Sequence, residues 1–422
     1  MDPAQAERYL ESLDVLGERY GLERIRELLA RLDSPEARAP AIHVVGSNGK
    51  TSTARFAAAA LRAADRRVGL YTSPHVTGWH ERIEIDGRPV TPETFAGALQ
   101  IVRSVAEGLD EPATQFEVLT ACAFLLFAQG GVDAMVIEAG LGGRHDATNV
   151  LEGAVVALTR VDLEHTRLLG DTVTKIAAEK LAVAKRSSMC LVSGPLSPEA
   201  EAATSAHAEA LKLRRRRYPD DFDWSENAAG LTVTTKRANY TGLAPAARGL
   251  FQRENLALAL AAAEELFLAP LPLEALRRAL RTLSVPGRFE ITSTQPTVIA
   301  DGAHNPAGAA ALVTALEQEF GDSRIVLVFG ALRSKDLDGM ARSLAGVVDR
   351  AIATTWPHPD ARPAGDVAAA LWAAGVRVDV QPSHELALRT ARGVAGSDAI
   401  VVVTGSLYLI EAYRRCELLG VR

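Results

Sequence analysis

The feature that most constrains this chain is residues 42–53, which read I-H-V-V-G-S-N-G-K-T-S-T. The apolar run at residues 42–45 predicts a buried strand, and the alanine-rich run from Thr51 onward predicts a helix. Glycines between them let backbone N–H groups face an anion, and a helix N-terminus adds partial positive charge. This order of elements predicts a phosphate-binding loop formed by Gly46, Ser47, Asn48, Gly49, Lys50 and Thr51.

Two side chains of this loop have expected roles in binding a nucleotide. Lys50 is expected to reach the terminal phosphates, and Thr51 is expected to offer its hydroxyl to Mg²⁺. The spacing differs from the standard phosphate loop, because only two residues separate Gly46 from the Gly49-Lys50 pair. The alternative is an ordinary strand-to-helix turn that carries a solvated lysine.

Composition favours a two-domain protein without nucleic acid as its main partner. A chain of 422 residues is too long for one ordinary core, and its net charge of −6 is unlike that of a nucleic-acid binder. The basic run at residues 214–217 is interpreted as a solvated face. The cysteines Cys122, Cys190 and Cys416 have no metal-binding spacing. With neither a signal-peptide pattern nor a membrane-length apolar run, we expect a cytoplasmic protein without a membrane partner.

Apolar strands that end in polar residues recur along the first part of the chain. They are predicted at residues 67–71, 134–137 and 155–159, with helices between them. This alternation predicts an α/β fold with a parallel, doubly wound sheet. A second α/β pattern follows the linker at residues 284–287, so we expect one domain over residues 1–286 and a smaller one over residues 287–422.

Several polar side chains follow these strands, where open parallel sheets bind ligands. Glu138 and His165 follow predicted strands, and Lys180 lies on the next predicted helix. Each also has an ordinary structural interpretation: a solvated carboxylate, a loop histidine and a surface lysine. Together with the phosphate loop, they favour an Mg²⁺ or Mn²⁺ site rather than zinc, and ATP held between two domains.

Polar strand ends of the second pattern also have two interpretations. Asp301 and His304 lie in D-G-A-H-N-P, which is also typical of a turn with Asx-type hydrogen bonds. Ser406 follows a predicted strand and is also a candidate N-cap of the last helix.

The motifs resemble those of the folylpolyglutamate synthase/dihydrofolate synthase family of the Mur ligase superfamily. The resemblance covers nearly the whole chain in the expected order, except residues 195–250. Its most specific motifs are L-G-G-R-H-D-A-T-N and D-G-A-H-N-P, and it also includes T-S-P-H, L-E-H-T, E-K-L-A-V, P-G-R-F-E and T-G-S-L-Y-L.

The resemblance implies an ATP-dependent amide ligase with a Mur-ligase-like fold. ATP would phosphorylate a pteroate or folate carboxylate, and the amino group of L-glutamate would attack the acyl phosphate. The N-terminal domain would hold ATP and the pterin, and the C-terminal domain would be the glutamate-ligase domain. The family also implies a monomer. Residues implied to bind the nucleotide are Ser52, Asn255, Arg288, Asp301 and His304, with His304 and Ser406 facing glutamate.

The resemblance also implies two Mg²⁺ ions, with K⁺ as a further possible ion. The first would be held by Thr51 or Ser52 together with Ser73 and Glu138, and the second by Glu138 and His165. Lys180 matches the lysine of the family's E-K-A-G motif and would be carbamylated, so that its new carboxylate joins the second metal. The residues implied to act in catalysis are therefore Lys50, Glu138, His165 and Lys180.

The chain departs from the usual family pattern at four places. Thr51 replaces a glycine, Phe251 replaces a histidine or tyrosine, and E-K-L-A-V replaces E-K-A-G-I. The usual G-L-D-H is D-L-E-H here, with Asp162 and Glu164 beside the expected second metal.

Two alternatives remain open. One is a Mur-type ligase for another carboxylate, which would carry a further N-terminal domain, whereas about forty residues precede the loop here. The other is a non-catalytic nucleotide-binding regulatory protein. Neither the preference between dihydropteroate and reduced folates nor the length of a polyglutamate product follows from the sequence.

Overall fold

The computed structural model describes residues 1–14 and 21–418, which divide into two compact units. The first unit comprises Met1–Pro74, Gly78–Pro245 and Arg253–Leu283. The second comprises His75–Thr77, Ala246–Gln252 and the chain from Ser284 onward. Two short segments inside the expected first domain therefore cluster with the second unit.

The first unit is built on an eight-stranded sheet with the order β4-β3-β2-β5-β1-β6-β7-β8. β1 lies near the middle and pairs in parallel with β5 on one side and β6 on the other. β3 and β4 form an antiparallel hairpin at one edge. The strands are β1 (Ala41–Val45), β2 (Val68–Tyr71), β3 (Ile83–Ile85), β4 (Arg88–Pro89), β5 (Ala134–Glu138), β6 (Val155–Leu158), β7 (Cys190–Ser193) and β8 (Arg214–Arg217).

Ten helices of the described chain precede the second sheet. They are α1 (Pro3–Glu11), α2 (Glu23–Arg31), α3 (Lys50–Ala63), α4 (Pro92–Ala106), α5 (Gln115–Gly130), α6 (Thr166–Leu169), α7 (Val173–Leu181), α8 (Pro198–Leu211), α9 (Leu250–Phe267) and α10 (Leu273–Thr282). Helix α5 shows why they form where they do. It begins at a capping box between Thr114 and Glu117, and it ends at Gly131 in the left-handed conformation.

Two apolar clusters hold helices against this sheet. α4 and α5 pack with Met135 and Ile137 of β5, and α7 and α8 pack with Val156 and Leu158 of β6. Cys122 lies in the first cluster, and Cys190 is also buried. The predicted parallel α/β sheet is confirmed.

The region from 195 to 250 is more regular than its sequence indicates. It contains α8, the edge strand β8 and an antiparallel sheet of β9 (Asp223–Asn227), β10 (Gly230–Thr234) and β11 (Asn239–Leu243). The arginine run is β8 itself: Arg214 and Arg217 are exposed, as in the predicted solvated face, whereas Arg215 and Arg216 are half-buried. Arg216 pairs with the buried Glu265 at 2.8 Å, and Arg215 pairs with Glu201 at 2.9 Å. Charged side chains along an edge strand also discourage pairing with another chain.

The second unit contains a six-stranded sheet with the order β12-β13-β17-β14-β15-β16. β12 is antiparallel to β13, and the remaining pairs are parallel. Its strands are β12 (Glu290–Thr294), β13 (Thr297–Asp301), β14 (Arg324–Phe329), β15 (Arg350–Thr355), β16 (Val378–Ser383) and β17 (Ala399–Thr404). Its helices are α11 (Pro306–Phe320), α12 (Leu337–Leu344), α13 (Ala364–Ala373), α14 (His384–Ala395) and α15 (Leu407–Leu418).

Within the part of the chain that the structure describes, no helix is both long and apolar enough to cross a bilayer.

Candidate active site

The predicted phosphate loop joins the carboxyl end of β1 to α3. Gly49 is the residue before α3 and has φ +88, a conformation that side chains disfavour. The Lys50 ammonium folds back over the loop, donating to the carbonyl oxygens of Gly46 at 2.9 Å and Ser47 at 3.2 Å. A loop that gathers a cation and a helix N-terminus in this way suits an anion better than the alternative of a solvated lysine.

The segment after β6 closes against this loop. Asp162 accepts a 2.8 Å hydrogen bond from Asn48 Nδ2, and its backbone N–H donates to Ser47 Oγ at 3.0 Å. The backbone N–H of Ser47 also donates to the Arg160 carbonyl at 2.7 Å. Asp162 was noted in the sequence only as a departure from the family pattern. Its position in the polar run that follows β6 was the signal that it could contact the loop.

Glu138, at the end of β5, joins two of the predicted metal ligands. Its Oε1 accepts from Thr51 Oγ1 at 2.9 Å, and its Oε2 accepts from the backbone N–H of Ser73 at 3.1 Å. Glu138 is 1% exposed, so the alternative of a solvated strand-end carboxylate is wrong. Because the register places Val44 opposite Glu138, the carboxylate lies at the same edge of the sheet as the phosphate loop.

Lys180, on α7, is also buried at 1% exposure, so the alternative of a surface lysine is wrong. Its ammonium donates to Gly46 O at 2.9 Å and pairs with Glu164 at 2.7 Å. Burial lowers the pKa of Lys180 to about 8, although the neighbouring Glu164 carboxylate acts to raise this pKa. Burial also acts to raise the pKa of Glu164, but the Lys180 and Lys50 ammonium groups hold that pKa well below its usual range. Sequence reasoning did not give Glu164 a role.

The glycine-rich loop after Glu138 packs closely on the last turn of α7. A methyl group at Gly143 would collide with the carbonyl oxygens of Glu179 and Lys180, so only glycine permits this approach. Arg144 reinforces the contact, since its backbone N–H donates to Glu179 O at 3.1 Å and its guanidinium pairs with the Glu179 carboxylate at 2.9 Å. This packing explains physically why the G-L-G-G run lies beside Lys180.

His165 lies directly before the short helix α6, has φ +45, and is half-buried. Among the residues that the structure describes, no group of three or more His, Cys, Asp or Glu side chains has an arrangement suited to a metal ion. Of the predicted metal ligands, only Glu138 and His165 belong to these residue types. The donor set of hydroxyls and one carboxylate, with Thr51 and Glu138 already in contact, has the oxygen chemistry that Mg²⁺ prefers.

Two predicted nucleotide residues of the first unit remain, Ser52 and Asn255. Ser52 is buried in the first turn of α3, and Asn255 lies on α9. Asn255 packs directly on the phosphate loop, because a methyl group at Gly49 would collide with its amide.

The other predicted residues lie in the second unit and bond mainly within their own loops. Asp301 accepts from the backbone N–H groups of Phe289 and Ala303, each at 2.8 Å, and the second contact is the expected Asx-type bond. Burial raises the pKa of Asp301, and the nearby Arg288 lowers it. His304 Nδ1 lies 2.8 Å from Gly302 O, and Ser406 Oγ accepts from Tyr408 N at 3.2 Å at the start of α15.

Comparison with known proteins places these features in a family. A model described as Mur ligase, glutamate ligase domain matches residues 287–407. The dihydrofolate synthase/folylpolyglutamate synthase of Bacillus subtilis (strain 168) is 34% identical over 412 residues, covering 94% of this chain and 95% of that protein.

Two solved structures extend the similarity to the fold. Mycobacterium tuberculosis folylpolyglutamate synthase complexed with ADP has a TM-score of 0.93 at 32% identity, covering 98% of this chain and 97% of that one. The bifunctional folylpolyglutamate synthase/dihydrofolate synthase of Yersinia pestis CO92, complexed with AMPPNP and Mn ion, has a TM-score of 0.88 at 31% identity, covering 100% of this chain and 98% of that one. The predicted Mur-ligase-like fold is thereby confirmed. The chain belongs to the folylpolyglutamate synthase/dihydrofolate synthase family of ATP-dependent glutamate ligases.

Proposed function

We propose that this ligase joins L-glutamate to dihydropteroate, to reduced folates, or to both, through an acyl-phosphate intermediate. The observation that carries the proposal is the buried cluster at the carboxyl edge of the first sheet. There Glu138 accepts from Thr51, and Lys50 and Lys180 both donate to the Gly46 carbonyl. A site that draws two ammonium groups to a phosphate loop suits a reaction in which two anions must approach each other.

In the first half of the reaction, a carboxylate oxygen of the pterin substrate attacks the γ-phosphorus of ATP, and the bond to the β-phosphate oxygen breaks to release ADP. Lys50 is proposed to bind the γ-phosphate and balance the charge that develops on it. The N-terminus of α3 adds partial positive charge to the same place. In the second half, the glutamate amine attacks the acyl carbon, loses a proton, and expels phosphate.

Divalent ions are proposed at two places in the first unit. Thr51 or Ser52, Ser73 and Glu138 would hold the first, and Glu138 and His165 would hold the second, with K⁺ as a possible further ion. Such ions would neutralise phosphate charge and polarise the reacting oxygens. The Thr51–Glu138 contact of 2.9 Å and the Mn ion in the Yersinia pestis structure support the proposal.

Lys180 is proposed to be carbamylated. Its neutral amine would attack CO₂, form an N–C bond and release one proton, leaving a carboxylate near the second metal. The pKa of about 8, lowered by burial, supports the proposal because it leaves part of the amine neutral near physiological pH. Glu164 opposes the modification, since its carboxylate stabilises the ammonium form at 2.7 Å.

The residues of the second unit are proposed to complete substrate binding. Arg288, Asp301 and His304, with Asn255 of the first unit, would bind the nucleotide. His304 and Ser406 would face the incoming glutamate. The match of residues 287–407 to a glutamate ligase domain supports this assignment. We further propose that the enzyme acts as a monomer, which light scattering at working concentration would test.

The deciding experiment measures phosphate release from ATP with Mg²⁺ and L-glutamate, using dihydropteroate and tetrahydrofolate in parallel. We expect glutamate-dependent release with at least one of them, and the ratio of the two rates would rank the activities. Lys175→Ala is a matched control for lysine variants, because Lys175 is an exposed residue of α7 paired only with Asp171 in the contacts described here. No release with either pterin would overturn the folate assignment and direct the search to other carboxylates.

The carbamate has a separate test. Activity of Lys180→Ala should fall and recover in part when a short carboxylic acid is added, since the acid replaces the missing carboxylate. An undiminished rate for Lys180→Ala at every CO₂ concentration would remove the carbamate from the mechanism.

A further inference from the structure

A histidine lies at the centre of the first sheet, in a strand that is otherwise apolar. His43 is 0% exposed and sits in β1, between β5 and β6. Its neighbours on the same face of the strand, Ala41 and Val45, belong to two different apolar clusters. An imidazole in such a place is costly unless its polar atoms have partners.

The partner of His43 is the hydroxyl of Thr148, which in turn contacts Asp146. His43 Nε2 lies 2.8 Å from Thr148 Oγ1, and Thr148 Oγ1 donates to Asp146 Oδ1. The Asp146 carboxylate also accepts from the backbone N–H groups of Leu141 at 2.7 Å and Thr148 at 3.0 Å. Burial raises the pKa of Asp146, and the hydrogen bonds from Thr148 and from the Leu141 N–H act to lower it. Because each of its two oxygens accepts a backbone N–H, Asp146 acts as an acceptor.

The direction of the protons follows from this. A threonine hydroxyl has one proton, and Thr148 donates it to Asp146. The contact with His43 therefore requires an N–H on Nε2, and Nδ1 is left as an unprotonated nitrogen. This agrees with Nδ1 being the buried atom of His43 without a hydrogen-bond partner. Burial lowers the pKa of His43 to about 3, so the ring is neutral throughout the working pH range.

Asp146 organises the loop that follows Glu138. Its carboxylate holds the backbone at Leu141, before Gly142 and Gly143, and at Thr148, after them. This loop presses Gly143 against the α7 carbonyls at Glu179 and Lys180. Any rotation of the Asp146 carboxylate would therefore move the loop that connects Glu138 with the contact at Lys180, two groups of the candidate active site.

We propose that His43 is a positioning residue of the ligase site. It acts through Thr148 to fix the Asp146 carboxylate, and with it the loop that follows Glu138 and packs against α7 at Lys180. This inference rests on the proposed ligase function for its effect on rate, but the tautomer and the hydrogen-bond chain do not depend on that function. His43 touches no reacting atom in this account.

The activity test compares variants that keep or remove the donor. His43→Met fills a similar volume without a donor, and we expect kcat to fall about tenfold, at the lower end for outer partners of a site. The KM for L-glutamate should change less than twofold, because glutamate is assigned to residues of the second unit. His43→Gln restores an N–H at the ε position and should recover most of the loss.

Thr148 provides the coupling test. Thr148→Val should resemble His43→Met, and the double variant should lose no more than about tenfold, because both changes break one chain. A multiplied loss of about a hundredfold would mean independent effects and would overturn the proposal. The matched control is His207→Met, since His207 Nε2 also makes one hydrogen bond, to Ala184 O at 3.2 Å, but lies on α8 and has no part in the hydrogen-bond chain from His43 to Asp146.

A spectroscopic test separates this inference from the proposed function. Histidine-selective ¹⁵N NMR of the full chain, with His43→Gln to assign the signal, should show Nε2 protonated and Nδ1 unprotonated from pH 5 to pH 8. The opposite tautomer, or a ring that titrates in this range, would overturn the inference even if the enzyme is an active ligase. The expected tautomer in a protein that releases no phosphate with either pterin would instead count against the proposed function alone.

Discussion

In the first unit the polar side chains at the strand ends pair with one another across the sheet, whereas in the second unit they pair with their own loops. Thr51 and Glu138 are 87 residues apart in the chain, and Asn48 and Asp162 are 114 apart. Asp301 and His304 instead bond to backbone groups two residues away, and Asp301 also accepts from the Phe289 N–H, 12 residues away. The first arrangement exists only in the folded sheet, whereas the two contacts over two residues form wherever the local turn forms.

The two units therefore differ in how strongly their charged groups interact with one another. The first unit holds a buried ion pair, Lys180–Glu164, beside a second ammonium group, so its charges depend strongly on one another. The second unit satisfies Asp301 through backbone N–H groups and a nearby guanidinium. Substitutions in the first unit should therefore have large, coupled effects, and those in the second should have small, local ones.

The largest effect is expected from Lys50→Ala. Removing the ammonium that balances the transferred phosphate should lower the glutamate-dependent rate of phosphate release by about a thousandfold, near the upper range for one electrostatic contact. The thermal midpoint should change little, because Lys50 bonds only to the carbonyls of its own loop among the contacts described. Loss of less than tenfold would show that the first unit does not depend on this charge.

Glu164→Gln should have the largest effect on stability. Lys180 would lose the buried carboxylate at 2.7 Å that stabilises its ammonium form, and removing one partner of a buried pair costs about 3 to 5 kcal/mol. Urea unfolding at pH 7 measures this free energy. Glu254→Gln, which breaks the more exposed pair with Arg160, is the control and should cost about 1 kcal/mol or less. Equal losses in the two variants would contradict the importance of burial.

The pH dependence of the free energy of unfolding should reveal the titration of Lys180. Its pKa is lowered from 10.5 to about 8 in the folded chain, so the unfolded chain binds more protons between these values. The free energy of unfolding should therefore rise with pH above 8, by about 2 kcal/mol by pH 9.5 from this group. The difference between the wild type and Lys180→Met isolates the contribution. If the difference in free energy of unfolding between the two proteins did not change with pH over this range, the lowered pKa of Lys180 would be contradicted.

The smallest effect on stability is expected in the second unit. Ser406→Ala removes the hydroxyl that accepts from Tyr408 N at 3.2 Å, and losing such a cap costs about 1 kcal/mol. Ser383→Ala, which removes the N-cap of α14, is a matched control and should cost about the same.

Enzyme activity distinguishes the proposed role of Ser406 from that of Ser383. If Ser406 faces glutamate, only Ser406→Ala should also raise the KM for glutamate, by about fivefold for one lost hydrogen bond. An unchanged KM would leave Ser406 as a helix cap alone.

Much of the fold could be predicted from local patterns. β1, α3, the β3–β4 hairpin and α5 follow from apolar runs, glycines and caps that act within a few residues. α8, β12, β16 and α14 were not predicted. β12 and β16 are edge strands of the second sheet, and their half-buried, mixed sequences lack the continuous apolar run that marks a central parallel strand. The short strand β8 reads as four arginines, which no propensity assigns to a sheet.

The phosphate loop, the α/β class and the family motifs can be identified from the sequence, because they depend on residue order over short distances. Tertiary packing, in contrast, buries Lys180 against Glu164, places Asp162 against Asn48 and brings His43 to Thr148. Each of these contacts joins residues on different elements, and their distance depends on strand order and register. A pattern along one chain specifies the elements, but the free energy of a buried charge depends on which elements pack beside it.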